Sequence, residues 1–206
     1  VLPQVEPWRR EDADASRGAL SGHLVGGAAV VVQSSPFKSA QKGAPLPDHA
    51  AILIHGINDY QFDPARHTLV SAASCTTTAL AHMIRPLLDR ELTRDMITAG
   101  MSTIHAVTNS QTVLDKLPKA GEKDIRKTRS ILNNIILTST GAAKALAEVI
   151  PEVKNIGFMG DSIRVPTNTL SLIVLNATFQ AREEASGAAA SIDTKKLNAI
   201  YEKASQ

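Results

Sequence analysis

Apolar residues recur with two different periods in this chain, and the change falls at Ser74. Before it, apolar positions come in short runs. Residues 28–33 (AAVVVQ) form one, closed by Ser34-Ser35-Pro36, where proline stops a strand. Residues 50–57 (AAILIHGI) and 68–73 (TLVSAA) form two more. From Thr76 the spacing turns helical. Leu80, Met83, Ile84, Leu87 and Leu88 share a face and predict a helix reaching Leu92. Residues 96–108 read as a long strand, and 142–150 as a helix between Thr140-Gly141 and Pro151. Residues 157–165 and 169–179 read as strands split by a turn at Pro166-Thr167-Asn168. Ser191-Ile192-Asp193 opens a last helix with Leu197, Ile200 and Tyr201 on one face. The stretches 37–48 and 109–129 read as loops, and 9–17 as a loop or a helix start. This order predicts the tail of an α/β unit up to residue 74. An α+β domain with a mixed or antiparallel sheet follows over 75–206.

Composition narrows the function classes. The net charge of +2 makes no case for nucleic acid or an anionic membrane as partner, and 3% aromatic residues argue against a base-stacking platform. No apolar run approaches the ~20 residues of a membrane span. The N-terminus has no signal-peptide pattern; it lacks Met and starts in mid-pattern, which suggests processing or a fragment. A single cysteine excludes an intramolecular disulfide and fits a reducing compartment, so a cytoplasmic location is expected. No HxxxH, CxxC or carboxylate cluster suggests a metal site.

The candidate chemistry starts at Cys75, where a strand gives way to a helix in Ser74-Cys75-Thr76-Thr77-Thr78. A thiol at a helix N-terminus feels the positive end of the macrodipole, which stabilises the thiolate. Amides there also suit an oxyanion or a phosphate. The residues alone leave open a buried structural cysteine with capping hydroxyls. His105 ends a strand and can pair with a thiolate as general base, or can simply bond a backbone group; His23, His49, His55, His67 and His82 are alternatives that spacing does not separate. Arg126, Lys127 and Arg129 cluster in a loop, Thr140-Gly141 precedes a helix, and Arg164 ends a strand. Each can hold phosphate, and each alone can be an ordinary charge or cap.

Taken in order, these pieces resemble the glyceraldehyde-3-phosphate dehydrogenase family. Ser74-Cys75-Thr76-Thr77 resembles its nucleophile motif, and Ser102-Thr103-Ile104-His105-Ala106-Val107-Thr108 its histidine segment. Ser139-Thr140-Gly141-Ala142-Ala143-Lys144-Ala145 and Ile163-Arg164-Val165-Pro166-Thr167 resemble two further signatures. His23-Leu24, Gly26-Gly27-Ala28, Gln33-Ser34-Ser35-Pro36 and Gly56-Ile57-Asn58 look like the last strands of the cofactor domain. The resemblance implies an α/β remnant of a Rossmann-type cofactor domain over 1–74. Over 75–206 it implies an α+β catalytic domain with a mixed, largely antiparallel sheet, incomplete at its C-terminus. It implies that Cys75 attacks the aldehyde of glyceraldehyde 3-phosphate, that hydride passes to NAD or NADP, and that inorganic phosphate releases an acyl phosphate from the thioester. His105 would activate the thiol. Thr108, Arg164 and Ser110 would hold the substrate phosphate. Ser74, Thr76, Thr140 and Gly141 would line the attacking-phosphate site. Lys127 stands near a position that is arginine in some members, and Ser34 would touch the cofactor. A homotetramer is expected of the full-length enzyme.

The chain departs from the family pattern. Thr78-Ala79 replace a usual Asn-Cys, Val107 replaces a usual tyrosine, and the segment between Ser35 and Asp48 is long. No G-x-G-x-x-G follows a strand. The first part of a dinucleotide domain and the family's C-terminal helix are therefore expected to be missing. A truncated, catalytically incompetent product that binds phosphate or serves as an interaction module is the alternative, as is an erythrose-4-phosphate dehydrogenase.

Overall fold

The computed structural model describes residues 19–37, 46–122, 124–183 and 187–206. The loop or helix start expected at 9–17 lies outside them, as do positions 38–45 of the loop expected at 37–48. The chain divides into two compact units. One runs to His82 and takes in Glu148–Ile150; the other comprises Met83–Ala147 and Pro151–Gln206.

The first unit holds α1 (Ala19–Val25), β1 (Val31–Gln33), β2 (Ala50–Ile52), β3 (Leu69–Ser71) and the first turns of α2 (Cys75–Leu88). Its sheet is parallel, in the order β1-β3-β2, with Leu69 opposite both Val31 and Ala50. All three residues of β3 are buried, as a central parallel strand requires. The strands are shorter than their apolar runs. The first run loses 28–30 to the exit of α1, where Ala28 N–H donates to the His23 carbonyl at 3.0 Å and Gly27 takes φ +97°. Sequence patterning did not mark α1: His23-Leu24, expected among the last strands of a cofactor domain, lie in this helix, whose Gly22 weakens the helical signal. The second run ends at Ile52 because the buried Asn58 turns the chain. Its Oδ1 accepts Ile54 N–H at 2.8 Å, its Nδ2 donates to the Ile52 carbonyl at 2.9 Å, and Gly56 adopts φ +73°.

Gln33 is the misfit of this unit. Its side chain is buried, yet neither amide atom has a hydrogen-bond partner among the described residues. Such a group costs about 1–3 kcal/mol. Gln33→Leu, similar in volume, is therefore expected to stabilise the unit by about 1–2 kcal/mol. Urea denaturation of the two proteins checks this, and a lower midpoint for the variant would show that the amide is bonded.

The second unit carries the remainder of α2, β4 (Met96–His105), β5 (Ile136–Thr138), most of α3 (Ala142–Val149), β6 (Gly157–Arg164), β7 (Ser171–Phe179) and α4 (Thr194–Ala204). Its sheet order is β5-β6-β4-β7. β4 runs parallel to β6 and antiparallel to β7, and β5 pairs antiparallel with β6, so the sheet is mixed. A short turn joins β6 to β7, but β4 lies between them. The alternation of β4 explains its place. Ala99, Met101 and Thr103 are buried on one face, and both edges of the strand carry full ladders.

α2 stops at Leu88, short of the expected Leu92. Thr93 Oγ1 donates to the Leu87 carbonyl at 2.6 Å and takes the place of the next helical turn. α4 starts as expected: Asp193 caps it by accepting Lys196 N–H at 2.8 Å. Its Ile200 is buried, and Tyr201 donates its hydroxyl to the Met83 carbonyl at 2.8 Å. Arg85 of α2 pairs with Asp89 and, at 2.9 Å, with Glu152. The Arg85 hydrogen bond holds the Glu152 carboxyl below its usual range.

Candidate active site

In the first unit the thiol follows a strained turn. Ala73, buried between β3 and α2, takes φ +58°, a left-handed conformation that costs a β-carbon-bearing residue about 1–2 kcal/mol. Ser71, itself fully buried, holds the turn. Its Oγ accepts Ala73 N–H at 3.1 Å and donates to the Ser35 carbonyl at 2.7 Å. Ser74 then caps α2: its Oγ accepts Thr77 N–H at 3.1 Å and lies 2.8 Å from Thr77 Oγ1, while its carbonyl takes Thr78 N–H at 2.8 Å. Cys75 is the first helical residue and is exposed, which sets aside the buried structural thiol. Its Sγ stands 3.9 Å from Thr76 Oγ1. Ser34, just beyond β1, is exposed.

In the second unit strand register does the assembling. β4 and β6 end together, with His105 opposite Arg164. On that face Thr103 and Ser162 form the preceding pair, both buried, with Thr103 Oγ1 donating to Ser162 Oγ at 2.9 Å. Arg164 Nη1 lies 2.6 Å from His105 Nδ1 and donates to the Ala106 carbonyl at 3.1 Å. The same His105 Nδ1 is 2.8 Å from that carbonyl. A ring nitrogen either accepts or donates. When Arg164 donates to Nδ1, the neutral ring carries its proton on Nε2. When Nδ1 is protonated it donates to Ala106, and Arg164 keeps the carbonyl. The β6–β7 turn pins this corner. Ala106 N–H donates to Leu170 and Val107 N–H to Thr167, at 3.1 and 3.0 Å, with Leu170 at φ +69°.

Beyond the strand, Thr108 sits in a tight turn with Ser110 and Gln111. Its Oγ1 is 2.9 Å from Ser110 Oγ and donates to Gln111 Oε1 at 3.0 Å. Thr140 lies elsewhere on the same sheet face. Its methyl is 3.4 Å from where a β-carbon would stand on Gly160, four residues before Arg164 in β6. That is roughly 13 Å along a strand. Thr140 Oγ1 accepts Ala142 N–H at 3.2 Å, and Gly141 is exposed at the start of α3. The basic loop is answered by its own acids. Lys127 Nζ is 3.9 Å from Asp124, Arg126 2.7 Å from Asp124, and Arg129 2.8 Å from Asp115. The Arg126 hydrogen bond holds the Asp124 carboxyl below its usual range.

The structure thus brings His105, Arg164 and Ala106 together in one unit and sets Ser74, Cys75 and Thr76 in the other. Sequence reasoning passed over Ser71, Ala73 and Gln111. Only Gln111 left a signal, the polar Thr-Asn-Ser-Gln run that a turn prefers. Among the described residues, no group of three or more His, Cys, Asp or Glu is placed to hold a metal ion, and no helix is long and apolar enough to cross a membrane.

Comparison with known proteins agrees with this architecture. The family model for the glyceraldehyde 3-phosphate dehydrogenase C-terminal domain matches residues 74–200. The chain is similar to a glyceraldehyde-3-phosphate dehydrogenase of Priestia megaterium (strain DSM 319 / IMG 1521), 41% identical over 162 residues, which are 78% of this chain and 43% of that protein. It is similar to glyceraldehyde-3-phosphate dehydrogenase 1 of Bacillus cereus, 44% identical over 155 residues, covering 68% and 44%. Glyceraldehyde-3-phosphate dehydrogenase 2 of Bacillus subtilis (strain 168) is 36% identical over 183 residues, covering 84% and 48%. The chain spans less than half the length of each of these three relatives.

Proposed function

From a chain that belongs to the glyceraldehyde-3-phosphate dehydrogenase family, we propose the acyl-transfer half of an oxidative phosphorylation of glyceraldehyde 3-phosphate. The observation that carries this reading is the register of β4 and β6. It sets a proton-transfer group, His105, beside an anion-binding fork, Arg164. The thiol of Cys75 adds to the aldehyde carbon and its proton ends on the former carbonyl oxygen, giving a hemithioacetal. Oxidation to the thioester is supplied by NAD or NADP when bound. The oxygen of inorganic phosphate then attacks the thioester carbon; the C–S bond breaks, 1,3-bisphosphoglycerate leaves, and the thiolate returns. His105 moves the proton in the first step. Arg164, Thr108 and Ser110 hold the phosphate of the substrate. The resemblance gives Ser74, Thr76, Thr140 and Gly141 to the attacking phosphate, with Lys127 as a further cation.

The dinucleotide itself finds little in this chain. The sequence has no G-x-G-x-x-G after a strand, and among the described residues this reading gives the dinucleotide Ser34, exposed just beyond β1. We read that sheet as part of a Rossmann-type domain on its parallel order and its place before the nucleophile.

A cytoplasmic enzyme that assembles as a homotetramer fits this reading. Support for assembly comes from the sheet face opposite Thr103. There Leu137, Ile163, Ile104 and Leu172 stand in one cross-strand row, with Leu137 and Leu172 exposed.

Arg164→Ala tests the substrate assignment. Loss of one charge-assisted contact to phosphate costs about 1.5–3 kcal/mol, so kcat/KM for glyceraldehyde 3-phosphate is expected to fall roughly 10- to 150-fold. Alkylation of Cys75 by iodoacetamide should proceed as in the wild type. Normal kinetics in this variant would leave Arg164 as a structural partner of His105 and Ala106 and sink the substrate-phosphate assignment.

A further inference from the structure

Thr108 is held from one side by a single neutral atom. Gln111 Oε1 accepts both the backbone N–H and the hydroxyl of Thr108, each at 3.0 Å. Gln111 N–H donates back to the Thr108 carbonyl at 2.9 Å. The four-residue turn is therefore closed twice, once by backbone and once by the glutamine side chain. Ser110 Oγ completes the set, 2.9 Å from Thr108 Oγ1. Thr108 lies on exposed loop and Gln111 is half-buried, so the glutamine end is the anchored one. The next turn of chain is fixed too, since Thr112 Oγ1 donates to the Arg129 carbonyl at 3.0 Å and its carbonyl accepts Ile131 N–H at 2.9 Å.

A hydroxyl has one proton to give. While it goes to Gln111, Thr108 offers an arriving phosphate only lone pairs. When the proton turns to the phosphate, Gln111 Oε1 still holds the Thr108 amide and keeps the hydroxyl in place. The acceptor that does this must be uncharged. A carboxylate at position 111 would hold the same two donors but would set a negative charge one residue contact away from the anion.

We propose that Gln111 is a positioning residue for phosphate-ester recognition: it orients the Thr108 hydroxyl as an uncharged acceptor, and its neutrality favours the anion. This rests on the reading that Thr108 and Arg164 hold the substrate phosphate.

The 206-residue chain, 15N-labelled and titrated with glycerol 3-phosphate and separately with glycerol, provides the test. The wild type is expected to bind the phosphate ester with shifts at the Thr108 and Arg164 amides, and not to bind glycerol. Gln111→Met, close in shape and without an acceptor, is expected to weaken binding about tenfold. Gln111→Glu should weaken it further, and its deficit should shrink as salt screens the added charge. A structural role alone would lower the melting temperature of Gln111→Met and leave the affinities of both variants at the wild-type value, and that result overturns the proposal. Equal, salt-independent losses in the two variants overturn the requirement for neutrality. If Gln111→Met fails to fold, Gln111→Glu, which keeps both hydrogen bonds, decides the matter by its salt dependence. Absence of ester binding in the wild type, or binding unchanged by Arg164→Ala, sinks the underlying phosphate assignment; ester binding that needs Arg164 but ignores Gln111 sinks only this inference.

Discussion

Cys75→Ser is expected to abolish aldehyde oxidation in the dinucleotide-loaded enzyme that carries this chain, by roughly 10⁴- to 10⁶-fold in kcat. The expectation follows from where the turn puts the residue. Ala73 spends backbone strain to reverse the chain, Ser71 stabilises that reversal, and Ser74 caps the helix, so position 75 is exposed at the helix N-terminus. A serine there keeps the shape and the local dipole. It lacks the acidity and nucleophilicity of a thiol, and an ester does not pass its acyl group to phosphate as readily as a thioester. The measurement is steady-state turnover with NAD or NADP and inorganic phosphate, together with trapping of the acyl-enzyme on Cys75 by mass. Retained turnover in the serine variant would remove the covalent mechanism.

His105→Asn should cost less, about 10²- to 10⁴-fold in kcat, the span attributed to a positioned general acid–base group. The asparagine amide can occupy the hydrogen-bonding place of Nδ1 beside Arg164 and the Ala106 carbonyl, where the wild-type contacts are 2.6 and 2.8 Å. It cannot shuttle a proton. The corner should therefore stay folded, and KM for the phosphate ester should change little, because Arg164 retains its contact to Ala106. Iodoacetamide labelling of Cys75 before and after the substitution measures separately whether the imidazole acts on the thiol. A variant with near-normal kcat and unchanged alkylation would reduce His105 to a strand-end residue that steadies Arg164.

The helices and the three long strands of the second unit were legible because their signals are local, whereas the three-residue β5 left no mark in the pattern. The ten-residue strand β4 carries its alternation in its own residues, and Asp193 announces α4 three residues before the amide it caps. The first unit was less legible. Its three-residue strands read longer because β-branched residues continue past the point where Asn58 or Gly27 turns the chain. The end of α2 was misplaced for the same kind of reason: Thr93 reaches back across six residues to a carbonyl, and periodicity carries no sign of it.

Residue type and spacing raised Cys75, His105, Thr140 and Arg164 as candidates and left an ordinary alternative beside each; the order of several motifs, through the resemblance to a family, singled them out and added Thr108. The strand order was a different matter. That β4 stands between β6 and β7, and that His105 faces Arg164 in register, depends on pairing across 59 positions of chain. Such pairing is settled by which strand can be buried on one face and bonded on both edges. The left-handed Ala73 and the double grip of Gln111 on Thr108 belong to that level too. Ala73 is an ordinary residue whose conformation is imposed by a buried serine. Gln111 acquires its partner only once the turn has closed. Local chemistry was therefore written in the sequence, while the orientation that makes it usable arose from contacts between residues that the sequence does not mark as neighbours.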